Sequence, residues 1–367
     1  MFAKARAPEL LTPTHLDTYL EQGWYRMGQS IFTTNFIHFK SEMYSTVWLR
    51  VLLDEFLEDG TQKKLFKRNT GFQVGIRPAN LTDEKEELYA RYKKSLPFNP
   101  SDSLQSLLFG SAVSSIYQTY EVTIHDGDRL IAIGFFDLGE TSAAGISSVY
   151  DPSYKKYSLG KYLIYLKMQY CKNQKMRYFY PGYFVPGYSF FDYKLTIARP
   201  ALQFLQLSSQ QWLPIETFFP ENIPYQVMHH KLIGAQKLLM HRQCESRVVK
   251  YEFFDANLIP DLRDAQLVDF PVFLFCPYVS QDGINPVLVF DVRDGCYHLL
   301  VCFPYWKPDE TNPDTEFYSA YFLKSLQEIY ITASAEEMVE VFLKSMERLR
   351  LSIEQGVVTS KQTRTKQ

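Results

Sequence analysis

The pattern of apolar and polar residues in the N-terminal third predicts a short helix followed by strands. Apolar residues recur at helical spacing within residues 14–28, where the predicted helix runs into a turn. Strands are predicted at Ser30–Phe39 and Tyr44–Leu53, and the second of these has alternating apolar positions. A further helix is predicted to begin near Asp83, because Asp83 and Glu86 have the spacing of a capping box.

From residue 117 the pattern changes to that of a sheet with one long helix. The predicted elements are a hairpin of Tyr117–Ile124 and Leu130–Leu138 that turns at Asp126-Gly127-Asp128, a strand at Gly145–Tyr150, a helix at Ser158–Lys172 and a strand at Arg177–Tyr183. The order of hairpin, strand, helix and strand is that of the GNAT-type acetyltransferases. The pattern therefore predicts a GNAT-like acyltransferase core, a mixed sheet with flanking helices.

Beyond residue 200 a second group of strands and a final helix are predicted. They are a strand at Val268–Val279, a hairpin of Val287–Val292 and Cys296–Phe303 that turns at Arg293-Asp294-Gly295, and a helix that begins at Ser334, has Glu337 in capping-box position and ends before Gly356. The tail Thr359–Gln367 is polar and is predicted to be disordered.

These elements predict an α+β protein of more than one domain, since 367 residues exceed the usual size of a single domain. We predict an N-terminal α/β segment at residues 1–110, the GNAT-like core at 111–200, an additional C-terminal α+β domain at 201–356 and a disordered tail at 357–367. Dimerisation or substrate delivery is the role expected of the C-terminal addition.

Composition indicates a cytoplasmic protein. No segment reaches the roughly 18–20 uninterrupted apolar residues of a membrane span, and the first residues lack the apolar region of a secretory signal. The five cysteines, at positions 171, 244, 276, 296 and 302, show no CxxC spacing and favour reduced thiols over a disulfide framework. No membrane or DNA partner is predicted.

The sequence predicts no cofactor and no resident metal. It contains no G-x-G-x-x-G, P-loop or H-E-x-x-H pattern, so nucleotide hydrolysis and zinc protease chemistry find no support. The possible ligands His229, His230, His241 and Cys244 fall in a predicted helix without a tight ligand motif.

Positive charge is concentrated in one stretch. Residues 151–200 hold 9 basic and 2 acidic residues, a local charge of +7 in a chain whose net charge is −2. Such a concentration favours an anionic partner bound at one face. A charged surface that merely faces solvent is the alternative.

Three motifs between Leu130 and Lys194 carry a family resemblance. They are Ser147-Ser148-Val149-Tyr150-Asp151-Pro152, Ser158-Leu159-Gly160-Lys161-Tyr162-Leu163-Ile164, and Tyr180-Pro181-Gly182-Tyr183-Phe184-Val185-Pro186-Gly187 with Tyr193-Lys194. In order and spacing they resemble the arginyl-tRNA–protein transferase family. That family includes bacterial enzymes that transfer leucine to proteins beginning with Asp or Glu.

Weaker matches extend the resemblance to about residues 15–200. They are Gly23-Trp24-Tyr25-Arg26-Met27-Gly28, Leu49-Arg50-Val51, Gln62-Lys63-Lys64 with Lys67-Arg68-Asn69, and Leu88-Tyr89-Ala90-Arg91-Tyr92. One feature of the family is missing, since members carry an N-terminal cysteine cluster that can hold a metal or iron–sulfur centre. This chain has no cysteine before Cys171, and Glu42-Met43-Tyr44 stands where part of the cluster would fall.

The resemblance, read with the chemistry of the side chains, implies three groups of site residues. Catalytic candidates are Tyr150, Asp151 and Tyr183; acceptor-binding candidates are Arg26, Lys67, Arg68, Tyr180, Gly182, Tyr193 and Lys194; tRNA-binding candidates are Lys155, Lys156, Ser158, Leu159, Gly160, Lys161, Lys175 and Arg177. An arginine or lysine would read the carboxylate of an acidic acceptor. A turn for Asp151, core packing for the tyrosines and close helix packing for Gly160 are the structural alternatives.

The resemblance implies transfer of arginine or leucine from aminoacyl-tRNA to the N-terminal amine of proteins that begin with Asp or Glu, which would mark them for degradation. A CoA-dependent acetyltransferase is an alternative, although Tyr157-Ser158-Leu159-Gly160-Lys161-Tyr162 lacks the second small residue of a CoA loop. A non-catalytic module that binds tRNA or N-terminal peptides is the other.

Overall fold

The computed structural model describes residues 1–98, 100–275, 285–309 and 316–348. Cys276, the end of the strand predicted at Val268–Val279, the end of the last helix and the predicted tail lie outside the described residues.

The chain has an α+β arrangement in which helices are interspersed with runs of consecutive strands. The helices are α1 (Pro13–Glu21), α2 (Gly60–Arg68), α3 (Asp83–Lys93), α4 (Leu104–Phe109), α5 (Leu159–Asn173), α6 (Pro224–His241) and α7 (335–348 as described). The strands are β1 (Ala3–Arg6), β2 (Tyr25–Met27), β3 (Ser30–Thr34), β4 (Phe36–Phe39), β5 (Glu42–Ser45), β6 (Val47–Leu52), β7 (Gln73–Pro78), β8 (Thr119–Asp126), β9 (Arg129–Leu138), β10 (Ser142–Tyr150), β11 (Tyr178–Phe184), β12 (Leu202–Gln206), β13 (Gln211–Pro214), β14 (Arg247–Tyr251), β15 (Val272–Phe275), β16 (Asn285–Asp291), β17 (Cys296–Trp306), β18 (Phe317–Tyr318) and β19 (Phe322–Thr332).

An eight-stranded sheet forms the centre of the described part, in the order β13-β12-β6-β11-β10-β9-β8-β7. Its neighbours are antiparallel except β10 and β11, which are parallel and joined by α5. Successive residues of a strand face opposite sides of a sheet. Ala143 accordingly packs in the α5 core, whereas Ala144 packs with α1. The sheet takes strands from both sides of residues 110 and 200, the two predicted domain boundaries.

A six-stranded sheet, in the order β18-β14-β15-β16-β17-β19, occupies the C-terminal half. Helices α6 and α7 pack on it around buried residues such as Leu232, Phe273 and Phe342. Phe2 and Phe36 from the N-terminal segment complete the same core. The predicted hairpin that turns at residues 293–295 is confirmed as β16 and β17.

Two cap predictions change in the structure. Thr82, not Asp83, is the N-cap of α3, and Glu86 accepts hydrogen bonds from the amides of Leu104 and Gln105, each at 2.9 Å. The predicted capping box was therefore wrong, because Glu86 caps the neighbouring helix α4. Ser334 does cap α7, but the carboxylate of its predicted partner binds two side chains of β19.

No helix in the described ranges has both the length and the apolar character needed to cross a membrane. No disulfide joins the cysteines of those ranges.

Candidate active site

The parallel strands β10 and β11 separate after three pairs of residues. They are paired only from Ser142 with Tyr178 to Ala144 with Tyr180. A β-bulge then interrupts β10 between Gly145 and Ser147. The hydroxyl of Tyr25 lies at the point of separation and donates to the carbonyl oxygens of Gly145 and Tyr180. The two strands thus open a cleft whose inner end is held by Tyr25.

Two cavities lie along this cleft. The first, about 300 Å³, is lined by the bulge, Lys167 and Lys194. The second, about 420 Å³, lies at the start of α5 and is lined by Gly160 and Lys161. Both include the following residues, so the cavities meet: Tyr92, Leu96, Ser148, Ile164, Phe190 and Tyr193. The cleft therefore has two adjoining cavities.

The second cavity is bounded by the N-terminus of α5. Ser158 caps the helix in a left-handed conformation, and its side chain makes no cap hydrogen bond. First-turn amides and the helix dipole favour an anion at such a position. A Cβ on Gly160 would lie 3.4 Å from the ring of Tyr150, so this glycine also allows close packing. Leu159 has a fully buried side chain, which leaves only its backbone for the predicted tRNA contact.

Two lysines face the first cavity, the buried Lys167 and the half-buried Lys194. Lys194 donates to the carbonyl oxygen of Tyr183 at 2.7 Å, and burial lowers its pKa to about 7. Lys167 is 1% exposed, donates to the carbonyl oxygen of Ser147 at 2.5 Å, and also has its pKa lowered by burial to about 7. Neither has a carboxylate within ion-pair distance among the described residues.

Lys167 was not among the site residues predicted from the sequence. The signal was its place in the apolar stripe of α5, four residues after Leu163 and four before Cys171, both of which are buried. A charged residue on the core face of a helix is unusual and points to a polar site.

The buried amine of Lys167 should make stability depend on pH. Its pKa falls from 10.5 to about 7 on folding, so between these values the unfolded chain binds more protons. The free energy of unfolding should therefore rise with pH in this window, by up to about 1.4 kcal/mol per pH unit from this group. Urea unfolding at several pH values should show this slope for the wild type relative to Lys167→Met. The matched variant Lys172→Met, from an exposed position of the same helix, should follow the wild type. Parallel curves for Lys167→Met and the wild type would contradict the shift.

The predicted tyrosines are divided between cleft and core. Tyr193 lines both cavities, and Tyr150 lines the second, where its ring packs 5.3 Å from that of Tyr92. Tyr180 is buried on the other face of the sheet, 5.6 Å from Trp212, so core packing accounts for it. Tyr183 lines neither cavity and packs 5.1 Å from Trp48. Its predicted catalytic role therefore stays a prediction that the geometry does not favour.

Gly182 and Asp151 have structural roles in this arrangement. Gly182 has a φ of +85° at a bulge in β11, and a Cβ there would lie 3.2 Å from the amine of Lys194. Asp151 accepts hydrogen bonds from the amide and hydroxyl of Ser153 and pairs with Arg129 at 2.6 Å. Burial alone would raise the pKa of Asp151, but these bonds outweigh it and lower the pKa. A carboxylate so occupied is a poor proton acceptor, which favours the turn-forming alternative.

Arg26 does not reach the cleft, contrary to its predicted contact with the acceptor. Its guanidinium is buried, pairs with Asp137 at 2.8 Å and donates to Thr119 at 2.8 Å. It also donates to the carbonyl oxygens of Gly28 and Leu108. Its donors are thus used within the protein. Lys67 and Arg68 are exposed at the end of α2, and Arg68 donates to the carbonyl oxygen of Lys156 at 3.0 Å, outside both cavities.

The basic stretch is divided between the two ends of α5. Lys155, Lys156 and Lys161 lie at its start, and Lys175 and Arg177 follow its end. A helix of 15 residues is about 22 Å long, so the stretch does not form one surface. Only the group at the start lies beside the second cavity.

One group of potential metal ligands occurs in the described part of the chain, at Asp291, Asp294 and His298. Arg293 already binds both carboxylate oxygens of Asp291, which leaves little capacity for a cation. The absence of a cofactor stays a prediction.

Part of the chain matches a known family model. Residues 84–203 match the family model described as arginine-tRNA-protein transferase, C terminus. The matched residues include strands β8 to β11 and helix α5. An aspartate/glutamate leucyltransferase of Leptospira interrogans is 29% identical over 216 residues, which cover 58% of this chain and 82% of that protein. One from Helicobacter hepaticus is 25% identical over 180 residues, covering 47% of this chain and 71% of that protein.

Among solved structures, the C-terminal domain of a putative lysylphosphatidylglycerol synthetase from Agrobacterium fabrum is 12% identical and covers 41% of this chain and 48% of that chain. The TM-score of 0.30 is too low to support an argument about the fold.

Proposed function

Because the resemblance of this chain to the arginyl-tRNA–protein transferase family is confirmed over residues 84–203, we propose that the protein is an aminoacyltransferase that uses aminoacyl-tRNA. The acceptor is the N-terminal amine of a protein beginning with Asp or Glu, which the transfer would mark for degradation. The donor amino acid is leucine or arginine, and the names of the relatives favour leucine.

The observation that carries the proposal is the pair of adjoining cavities, one at the separation of β10 and β11 and the other at the start of α5. The N-terminus of α5 would bind the phosphate of the tRNA acceptor end at the second cavity. The aminoacyl ester would then extend past Ser148 to the bulge of β10, and the acceptor peptide would enter the first cavity beside Tyr193 and Lys194. The order of β8, β9, β10, α5 and β11 supports a GNAT-like core for this arrangement.

Binding both substrates in one cleft supplies much of the chemistry. The α-amine of a peptide has a pKa of about 7.7–8.0, so a substantial fraction is neutral and nucleophilic near neutral pH. Holding this amine against the ester carbonyl replaces an encounter in solution by a positioned attack. Of the cations proposed to read an acidic acceptor, only Lys194 lines the first cavity.

A transfer assay tests the function directly. Purified protein is incubated with tRNA charged with labelled leucine or arginine and with peptides that begin with Asp, Glu or Ala. Label should move to the Asp and Glu peptides and not to the Ala peptide. The charged tRNA from which label is transferred identifies the donor amino acid. Folded protein that transfers neither amino acid would refute the enzymatic proposal. Peptide binding without turnover would then indicate a binding module, and binding of acetyl-CoA an acetyltransferase.

Binding of tRNA should weaken steeply with salt, since lysines at the start of α5 would neutralise phosphates. The double variant Lys155→Gln/Lys156→Gln should reduce the slope of log K against log salt by about 0.7–0.9 for each phosphate that is no longer neutralised. The matched control, Lys175→Gln/Arg177→Gln, removes the same charge from the other end of α5 and should retain the wild-type slope. Filter binding at several salt concentrations measures both. Equal reductions of the slope in the two variants would show that the tRNA spans the whole helix.

A further inference from the structure

Lys167 lies at the bulge of β10 in a small cluster of hydrogen-bonding groups. Its amine is 2.5 Å from the carbonyl oxygen of Ser147 and 3.4 Å from the hydroxyl oxygen of Ser148. The hydroxyl oxygen of Ser147 is buried and has no hydrogen-bond partner among the described residues. Lys167 and both serines line the first cavity. Ser148 pairs with Gly134 and shares the α5 face of the sheet with the amine, whereas Ser147 pairs with Phe135 and directs its hydroxyl to the opposite face. The bulge thus places the amine beside one hydroxyl, that of Ser148.

Strand β9 leaves room for the Lys167 amine. Gly134 of β9 lies directly beneath it, and a Cβ at this position would be 2.8 Å from the Lys167 nitrogen. Any side chain at residue 134 would therefore displace the amine from the bulge. Two strands thus determine the position of the Lys167 amine: the Ser147 carbonyl of β10 accepts its hydrogen bond, and Gly134 of β9 leaves room for it.

The cluster lacks an internal anion. An ammonium group has three donors, and the Ser147 carbonyl takes only one of them at a normal distance. A buried cation without a negative partner lowers stability in the free protein. A ligand oxygen that carries negative charge would accept hydrogen bonds from the remaining donors of Lys167 and from the Ser148 hydroxyl beside it.

We propose that the Lys167 ammonium and the Ser148 hydroxyl bind the carbonyl oxygen of the aminoacyl ester and stabilise its negative charge in the tetrahedral intermediate. The inference rests on the proposed function and makes Lys167 a catalytic residue. Donors fixed where charge develops are a principal source of rate acceleration.

The step balances without another reactant. The acceptor nitrogen forms a bond to the ester carbonyl carbon, and the carbonyl π electrons move to the oxygen beside Lys167. When they return, the bond between the carbon and the ribose oxygen breaks. The nitrogen loses one proton and the departing ribose oxygen gains one, while Lys167 retains its own. The products are an amide and a free ribose hydroxyl.

The fold assigns Lys167 to the donor and Lys194 to the acceptor. Lys167 projects from α5, the helix whose first turn borders the second cavity, and Ser148 lies where the two cavities meet. A donor held at the first turn would thus present its ester at the bulge. Lys194 belongs to the 3-10 helical segment Ser189–Thr196, which follows β11 on the other side of the cleft.

The test compares two lysine-to-methionine variants of the same helix. Lys167→Met removes the bulge cation, whereas Lys172→Met removes an amine that also donates to a backbone carbonyl, that of Phe56 at 2.6 Å, away from the cleft. Single-turnover transfer at saturating charged tRNA should fall about 100- to 1,000-fold in Lys167→Met. The affinity for charged tRNA and the peptide KM should not change. Lys172→Met should retain the wild-type rate.

Ser148→Ala is the second variant and removes a half-buried hydroxyl whose contact with Lys167 is long, at 3.4 Å, so it should fold as the wild type does. It should lower the single-turnover rate in the same direction by a smaller factor. If Lys167→Met does not fold, an unchanged rate in Ser148→Ala overturns the inference.

Two further outcomes oppose the inference. A folded Lys167→Met that transfers at the wild-type rate overturns it while the proposed function stands. A raised peptide KM with lost preference for Asp over Ala would assign Lys167 to the acceptor carboxylate instead. A folded wild-type protein that transfers nothing refutes the proposed function and this inference with it.

Discussion

Replacing Lys194 with methionine is expected to lower kcat/KM for a peptide that begins with Asp by about 10- to 100-fold, because a hydrogen bond to a charged group is worth about 1.5–3 kcal/mol. Lys194 lines the first cavity, and its amine has no carboxylate partner among the described residues. Burial lowers its pKa to about 7 in the free protein. A bound carboxylate would restore the charged form, since an opposite charge favours it.

The slow background transfer to an Ala peptide should be the same in Lys194→Met and the wild type, because an N-terminal alanine has no side-chain carboxylate for Lys194 to bind. The quantity to compare between Lys194→Met and the wild type is therefore the ratio of kcat/KM for the Asp peptide to kcat/KM for the Ala peptide, measured with the same charged tRNA. Methionine has a similar length without the charge, so the variant should unfold at or above the wild-type temperature.

The matched control for this prediction is Lys161→Met. Lys161 lines the second cavity and donates to the hydroxyl of Thr196 at 3.1 Å. Its loss should weaken binding of charged tRNA and leave the Asp to Ala ratio unchanged. If Lys161→Met lowers the ratio and Lys194→Met does not, the assignment of donor and acceptor to the two cavities is reversed.

Replacing Arg26 with methionine is expected to lower the free energy of unfolding by about 3–5 kcal/mol, the usual cost of leaving one partner of a buried ion pair alone. Asp137 is fully buried beside Arg26, and burial already raises the pKa of this carboxyl. Without the guanidinium, the carboxyl must be buried unpaired or take up a proton on folding. Urea unfolding measures the loss.

Two comparisons identify the cause of this loss. The double variant Arg26→Met/Asp137→Leu should be more stable than Arg26→Met, because it leaves no uncompensated charge. Arg77→Met should cost less than about 1 kcal/mol, since the Arg77 side chain is 58% exposed and Glu121 retains its bond to Lys85. An Arg26→Met protein of unchanged stability that no longer distinguishes Asp peptides from Ala peptides would show that Arg26 contacts the acceptor, as predicted from the sequence.

The C-terminal half lies largely outside the family match, which ends at residue 203. Its sheet and α6 share a core with Phe2 and Phe36, so it packs against the N-terminal segment. A role in dimerisation or delivery of acceptors stays a prediction.

Local sequence determined the elements on which the cleft is built. The hairpin β8–β9, the helix α5 and the strands on either side of it follow from turn residues and apolar periodicity, which act between near neighbours. The motifs from Ser147 to Lys194 pointed to the transferase family for the same reason, since their spacing can be read along the chain.

The tertiary structure alone decided which of these residues can act together. Arg26 pairs with Asp137, and Glu86 caps a different helix. Lys167 became a site residue only because β10 carries a bulge and β9 has a glycine beneath its amine. Each of these contacts joins residues distant in sequence, and the pairing of buried charges depends on which neighbours the fold provides, which local periodicity does not encode.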